Sequence, residues 1–131
     1  MKILKMALFA LLFTTAFVAC KKDNDHASAP VEGLFVGKYG FGNESPDTEY
    51  KLNVKTGGVF QEIGVNSGAP TGQGNWQFNG NTLTATYTML FSPYNKYSVS
   101  ATFNSSTGKL VGTWGYDNNP SDGGKIDMTK Q

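Results

Sequence analysis

The clearest pattern in the chain is a strict alternation of polar and apolar residues between positions 82 and 89. Four threonines occupy one set of alternate positions, and four apolar residues from Leu83 to Met89 occupy the other. Side chains of a β-strand point alternately to opposite faces, so this pattern predicts a strand with one polar and one apolar face. Residues 96–103 repeat the alternation. We expect the two segments to pair.

The same reasoning, applied from residue 33 onward, predicts an all-β domain without a helix. The predicted strands are residues 34–41, 48–55, 58–65, 73–79, 82–91, 95–104, 109–116 and 124–130. Three connections are short and marked by glycine, and four are longer, at 42–47, 66–72, 92–94 and 117–123. Successive connections of an up-and-down sheet alternate between its ends, so the four longer loops fall at one end. We therefore predict an antiparallel up-and-down barrel of about eight strands over residues 33–131.

Short glycine and aromatic motifs within these strands add a family resemblance. Gly37-Lys38-Tyr39 on the first strand, Gly112-Thr113-Trp114-Gly115 on the seventh and the late Gly123-Gly124-Lys125 resemble motifs of lipocalin-like domains in small bacterial lipoproteins. The resemblance covers residues 33–131. It implies a lipocalin-like barrel that admits a ligand at the end with the longer loops.

The N-terminal residues differ from the rest of the chain. Lys2 and Lys5 precede an uncharged apolar run over residues 6–18, which is typical of a secretory signal and shorter than the roughly 20 residues of a spanning helix. Phe17-Val18-Ala19-Cys20 then precedes a charged run. This sequence resembles the lipobox of bacterial lipoproteins, in which the cysteine receives a diacylglycerol and becomes the N-terminus after cleavage. The charged run is also similar to the tethers of outer-membrane lipoproteins from Bacteroidota.

The resemblance implies a signal peptide over residues 1–19, lipidation of Cys20 and a flexible tether over residues 20–32. Cys20 is the only cysteine, so no disulfide can form within the chain. Each buried methylene of an acyl chain such as palmitate contributes about 0.8 kcal/mol, so several chains would hold the protein on a membrane. We expect an envelope location, at the outer membrane. Because the first strand starts at the tight-turn end, the longer loops should point away from the lipid.

Charge and residue content exclude several function classes. The chain has no arginine, and nine lysines face ten acids once residues 1–19 are removed, so nucleic-acid binding is not expected. The only histidine, His26, lies in the tether, which argues against histidine-dependent catalysis or zinc binding. The acids fall mostly in predicted loops or on solvent-facing strand positions, unlike the paired carboxylates of a glycosidase. The loop 117–123 has oxygen atoms that calcium could use, but plain turns have the same composition. We predict no catalytic residues, no metal and no cofactor.

Aromatic residues are the positive signal for binding. Tyrosine and tryptophan combine an apolar body with a polar group, which suits small hydrophobic or glycan ligands. The candidate ligand-binding residues are Tyr39, Phe41, Trp76, Met89, Phe91, Tyr94, Tyr97, Trp114 and Tyr116. The same rings could instead fill a barrel of this size and leave no cavity. The barrel would then be a structural or protein-interaction subunit of the cell envelope.

Replacement of Cys20 tests the anchoring prediction. Cys20→Ala removes the thiol that would carry the lipid, so the protein should move from the membrane fraction to the soluble fraction. Fractionation followed by immunoblotting measures this shift, with Ser28→Ala as a control that should stay with the membranes. Unchanged membrane association of Cys20→Ala would refute lipidation at this residue.

Overall fold

A computed structural model of the chain describes residues 28–131. The predicted signal peptide, Cys20 and the tether up to residue 27 lie outside the described residues. The strands are β1 (Gly33–Phe41), β2 (Thr48–Lys55), β3 (Val59–Ile63), β4 (Pro70–Asn79), β5 (Thr82–Met89), β6 (Lys96–Asn104), β7 (Lys109–Tyr116) and β8 (Gly124–Lys130). Each strand pairs with the next, and β1 also pairs with β8, which closes an antiparallel barrel. The predicted all-β, eight-stranded up-and-down barrel is confirmed.

The connections separate the barrel into two ends. The tight turns 56–58, 80–81 and 105–108 lie at one end, here called the closed end. The longer loops 42–47, 64–69, 90–95 and 117–123 lie at the other end, here called the mouth. The predicted asymmetry between the two ends is confirmed. Within residues 28–131 no helix is long and apolar enough to cross a membrane.

Three strand boundaries differ from the prediction by two residues or more. β3 ends at Ile63 and not at residue 65, because the pairing with β4 shifts register between Glu62 and Ile63. The chain then turns, with Gly64 N donating to Ala69 O, and β4 begins at residue 70 and not at residue 73. β5 ends at Met89 and not at residue 91. The loops at the mouth are therefore built partly from residues that the alternation alone assigns to strands.

The core fills the closed half of the barrel. Apolar side chains that alternate along every strand point inward, as the period of two requires. The largest fully buried side chains are Phe35, Phe60, Leu52, Leu83, Leu110, Ile126, Met128, Val31, Val54 and Val99. The rings of Phe35 and Phe103 meet edge to face with centroids 5.8 Å apart. Large side chains from all sides thus close this half of the interior.

The predicted tether is wrong at its C-terminal end. Val31 falls within the predicted tether of residues 20–32, but it is fully buried and belongs to the core. Glu32 bonds Ala29 N and Thr56 Oγ1 through its carboxylate, and Lys130 Nζ donates to Pro30 O. A single apolar residue among polar neighbours gives no periodic signal, so its burial against the closed end could not be predicted. The folded unit therefore includes residues 29–32.

Gly112 shows how closely neighbouring strands approach inside the barrel. It lies on β7 opposite Ala101 of β6. A Cβ added to Gly112 would lie 2.1 Å from Ser100 O and 2.5 Å from Ala101 Cα. Both are backbone atoms, so β6 and β7 would have to separate to accommodate any side chain. The glycine is required by sterics at this point of the sheet.

Gly112→Ala should therefore destabilise the barrel. Forcing apart a closely packed pair of strands costs about 1–3 kcal/mol, so the free energy of unfolding should fall by that amount or more. Urea unfolding followed by circular dichroism measures it. The control is Val111→Thr on the same strand, where the side chain is 49% exposed, and a change within about 0.5 kcal/mol is expected. A Gly112→Ala protein as stable as this control would contradict the steric requirement for glycine at position 112.

Candidate functional site

A cavity of about 470 Å³ opens at the mouth, above the filled half of the barrel. Six of the nine predicted ligand-binding residues line it: Tyr39, Phe41, Met89, Tyr97, Trp114 and Tyr116. They come from four strands and face inward because each occupies the apolar set of alternating positions near the mouth end of its strand. A cavity of this volume lies within the usual range for small-molecule sites. At this end of the barrel the rings therefore line an open cavity, while large apolar side chains fill the other half.

Trp114 is the centre of the aromatic wall of this cavity. Its ring centroid lies 5.7 Å from that of Tyr39, 5.4 Å from that of Phe41 and 6.0 Å from that of Tyr97. Tyr116 lies 5.4 Å away on the same side. Tilted and edge-to-face arrangements of this kind are the favourable ones for aromatic rings. The wall is thus a packed cluster and not a set of independent side chains.

Two contacts fix the orientation of Trp114. Its indole N–H donates a buried hydrogen bond of 3.0 Å to Gly40 O. Its ring lies over Gly123, where an added Cβ would come within 2.6 Å of Cε3. The late glycine motif of the sequence therefore has a structural reason, since any larger residue at position 123 would displace the tryptophan from the wall.

The opposite side of the cavity carries a hydrogen-bonded polar network. Tyr87 OH donates to Glu62 Oε2 at 2.7 Å, and Thr71 Oγ1 donates to Glu62 Oε1 at 3.1 Å. Tyr50 OH lies 2.6 Å from Tyr87 OH. Because the proton of Tyr87 is used toward Glu62, Tyr50 must be the donor in that pair. The network ends on one carboxylate at the cavity surface.

The prediction that acids occupy loops or solvent-facing strand positions is wrong for Glu62. This residue shares the inward face of β3 with Phe60, and its carboxylate reaches the cavity. Glu62 lies two residues after Phe60, so the period of two already places both side chains on the same face of β3. A charged residue is nevertheless normally assigned to a solvent-facing position. Tyr50 and Thr71 were missed because their roles depend on partners on other strands: Tyr50 meets Tyr87 of β5, and Thr71 meets Glu62 of the neighbouring β3.

Three predicted site residues do not line the cavity. Trp76 lies nearer the closed end, where its indole N–H donates to Lys55 O at 2.8 Å. Trp76 packs against the core, as expected for an inward-facing position on β4. Because β4 runs from the mouth to the closed end, however, residue 76 lies too far from the mouth to reach the cavity. Phe91 and Tyr94 lie in the loop after β5 and are 64% and 62% exposed. Strand parity no longer applies there because β5 ends at Met89.

Side-chain oxygens of the loop 117–123 accept hydrogen bonds from groups of the protein itself. Asp122 Oδ1 accepts a bond from Tyr116 N at 2.8 Å, and Asn119 Oδ1 accepts from Ser121 N at 3.2 Å. Within residues 28–131 no group of three or more His, Cys, Asp or Glu residues is arranged to hold a metal ion.

No family model, no curated protein and no solved structure matches this chain. What the mouth can bind therefore has to follow from its lining.

Burial controls the acidity of the phenols in the network. Burial raises the pKa of Tyr50 and of Tyr87 well above the ordinary value near 10, and the neighbouring Glu62 carboxylate adds to the increase in both. Burial and then Glu62 also raise the pKa of Tyr39. A phenol of raised pKa stays protonated in the folded state while the unfolded chain already ionises above about pH 10. Its stabilising contribution is complete below that pH and is lost as pH rises toward the folded-state value.

The free energy of unfolding should therefore fall steeply above about pH 10, by about 1.4 kcal/mol per pH unit for each of the buried phenols Tyr50 and Tyr87. Tyr50→Phe removes one of them, so its slope should be shallower than that of the wild type by this amount. Urea unfolding between neutral and strongly alkaline pH provides both slopes. Equal slopes for the two proteins would show that Tyr50 does not stay protonated in the barrel.

Proposed function

We propose that this protein is a membrane-anchored lipoprotein whose barrel binds a small apolar or amphiphilic molecule at its mouth. The observation that carries the proposal is the cavity of about 470 Å³, with an aromatic wall on one side and a hydrogen-bonded carboxylate on the other. Sites for small molecules are typically apolar concavities with a few placed polar groups. The protein is proposed to be non-enzymatic, since hydroxyl groups hold the Glu62 carboxylate and no base is paired with a nucleophile among the lining residues within 28–131.

The geometry of the N-terminal residues supports the orientation in this proposal. Pro30 and Glu32 bond to Lys130 and Thr56 at the closed end, so the chain leaves the barrel opposite the mouth. Seven residues separate Cys20 from Ser28, and they span at most about 25 Å when extended. A lipid on Cys20 would thus hold the closed end near the envelope membrane and leave the mouth facing away from it.

A second candidate function is presentation of the mouth loops to a partner protein. Leu90, Phe91 and Tyr94 are 45%, 64% and 62% exposed in one mouth loop, and none of the three lines the cavity. Contiguous exposed apolar side chains often mark interaction sites. This function would use the loop tips and not the cavity, so the two candidates respond differently to a change inside the mouth.

Native mass spectrometry of the full chain, purified from its own membranes in a neutral detergent, tests the cavity proposal. The native mass should exceed the denatured mass of the same sample by that of a bound small molecule, whereas covalent lipid contributes to both masses. Met89→Trp places a larger ring in the cavity and should reduce the bound fraction by about tenfold or more, because the space is no longer available.

The matched control is Thr88→Trp, which places the same ring on the exposed outer face of β5 and should keep the bound species. A wild-type protein with equal native and denatured masses would contradict the cavity proposal and leave the loop-tip candidate. Equal occupancy of the Met89→Trp and wild-type proteins would place the bound molecule elsewhere.

A further inference from the structure

The ionisable groups of the mouth cavity are of one sign. The charged side chains that line it are Glu62 and, at its rim, Glu49. No lysine among residues 28–131 lines it, and the chain has no arginine. Three lysines near the mouth use their ammonium groups on oxygens of the protein: Lys51 Nζ donates to Val65 O, Lys96 Nζ to Asn118 Oδ1 and Lys125 Nζ to Asn43 O. Val65 lines the cavity, so the bond of Lys51 reaches the lining, but its side chain does not form part of it. A ligand that carries a negative charge would therefore meet the Glu62 carboxylate with no lysine side chain among the lining residues.

The polar network directs its protons toward Glu62. Tyr50 donates to Tyr87, Tyr87 donates to Oε2 of Glu62, and Thr71 donates to Oε1. Each carboxylate oxygen has two lone-pair sites, so each keeps one acceptor site after these bonds. Within the network the donors are used and acceptors remain. The network therefore offers hydrogen-bond acceptors to a ligand, and an N–H group of the ligand can donate to them.

The aromatic wall also favours a positively charged ligand. The faces of tyrosine and tryptophan rings carry the negative end of the ring quadrupole and attract cations that lie within about 6 Å of the ring centroid. Tyr39 and Tyr97 line the cavity together with Trp114, and their ring centroids lie 5.7 Å and 6.0 Å from that of Trp114. The raised pKa of Tyr39, which Glu62 and Asp47 increase beyond the effect of burial, agrees with a negative potential at this place.

We infer that the mouth cavity selects an organic cation, a protonated amine or quaternary ammonium on an apolar body, through Glu62 and the rings around Trp114. This inference rests on the proposed function, because it requires that the cavity bind a small molecule. It narrows the ligand class: fatty acids and other apolar anions are disfavoured, and an amine group is recognised by charge and by hydrogen bonding.

Three compounds that share one apolar body test the inference: phenylbutylamine, phenylbutanol and phenylbutyrate. At neutral pH the first is a cation, the second is neutral and the third is an anion. Binding to the full chain in neutral detergent is followed by tryptophan fluorescence in a Trp76→Phe background. The chain has two tryptophans, so this background leaves Trp114 in the cavity wall as the reporter.

The amine should bind about tenfold more tightly than the alcohol, and the acid more weakly than the alcohol, from one charge contact with adjacent aromatic faces. Glu62→Gln keeps an amide oxygen as acceptor but removes the charge, so the preference for the amine over the alcohol should be largely lost. Glu44→Gln, the same change on an exposed mouth loop outside the cavity lining, should retain the preference.

The two proposals fail in different ways in this experiment. If the alcohol and the acid bind as tightly as the amine to the wild-type protein, the inference is overturned while small-molecule binding stands. This comparison needs no variant at Glu62 and so does not depend on how that variant folds. If Glu44→Gln removes the preference as fully as Glu62→Gln, net charge and not the cavity decides it, which also overturns the inference. If none of the three compounds binds, small-molecule binding itself fails, and the inference fails with it.

Discussion

Closure of the sheet is the constraint on which the rest of this structure depends. Because β1 pairs with both β2 and β8, every strand has two neighbours and the number of strands sets the width of the interior. An interior of this width can be filled by side chains, and the closed half is filled by large apolar residues such as Phe35, Phe60 and Met128. At the mouth the inward side chains pack along the walls, with Trp114 against Tyr116 and Glu62 against Tyr87, and a cavity remains between them.

The two walls of the cavity are stabilised by different physics. The side around Trp114 is a cluster of rings held by edge contacts and by one buried bond to Gly40 O. The side around Glu62 is a chain of hydroxyl groups whose burial is tolerated because each has a partner. The same arrangement that satisfies the buried phenols leaves acceptor sites at the cavity surface. Stability of the polar wall and the chemistry proposed for the ligand therefore come from the same bonds.

The alternation of polar and apolar residues was sufficient to predict the strands, their number and the end that carries the longer loops, because one face of each strand is buried. It also located six of the nine predicted site residues at the mouth. It failed where a residue's role depends on distant partners or on the point at which a strand stops. Glu62 is inward because hydroxyl groups from β4 and β5 meet it, and Val31 is buried where Pro30 and Glu32 bond to Lys130 and Thr56 at the closed end. Trp76 was wrongly placed at the cavity because it lies too far along β4, toward the closed end. Phe91 was wrongly placed there because β5 ends before it.

The proposed function requires a mouth that stays open above a filled half and is occupied by a small molecule. A crystal structure of the protein purified from its own membranes tests this most directly. Electron density for an organic molecule between Trp114 and Glu62, with its polar end within hydrogen-bonding distance of the carboxylate, is the expected result. A mouth in which Tyr97 and Tyr116 have turned inward to occupy the space, with no room for a ligand, would contradict it.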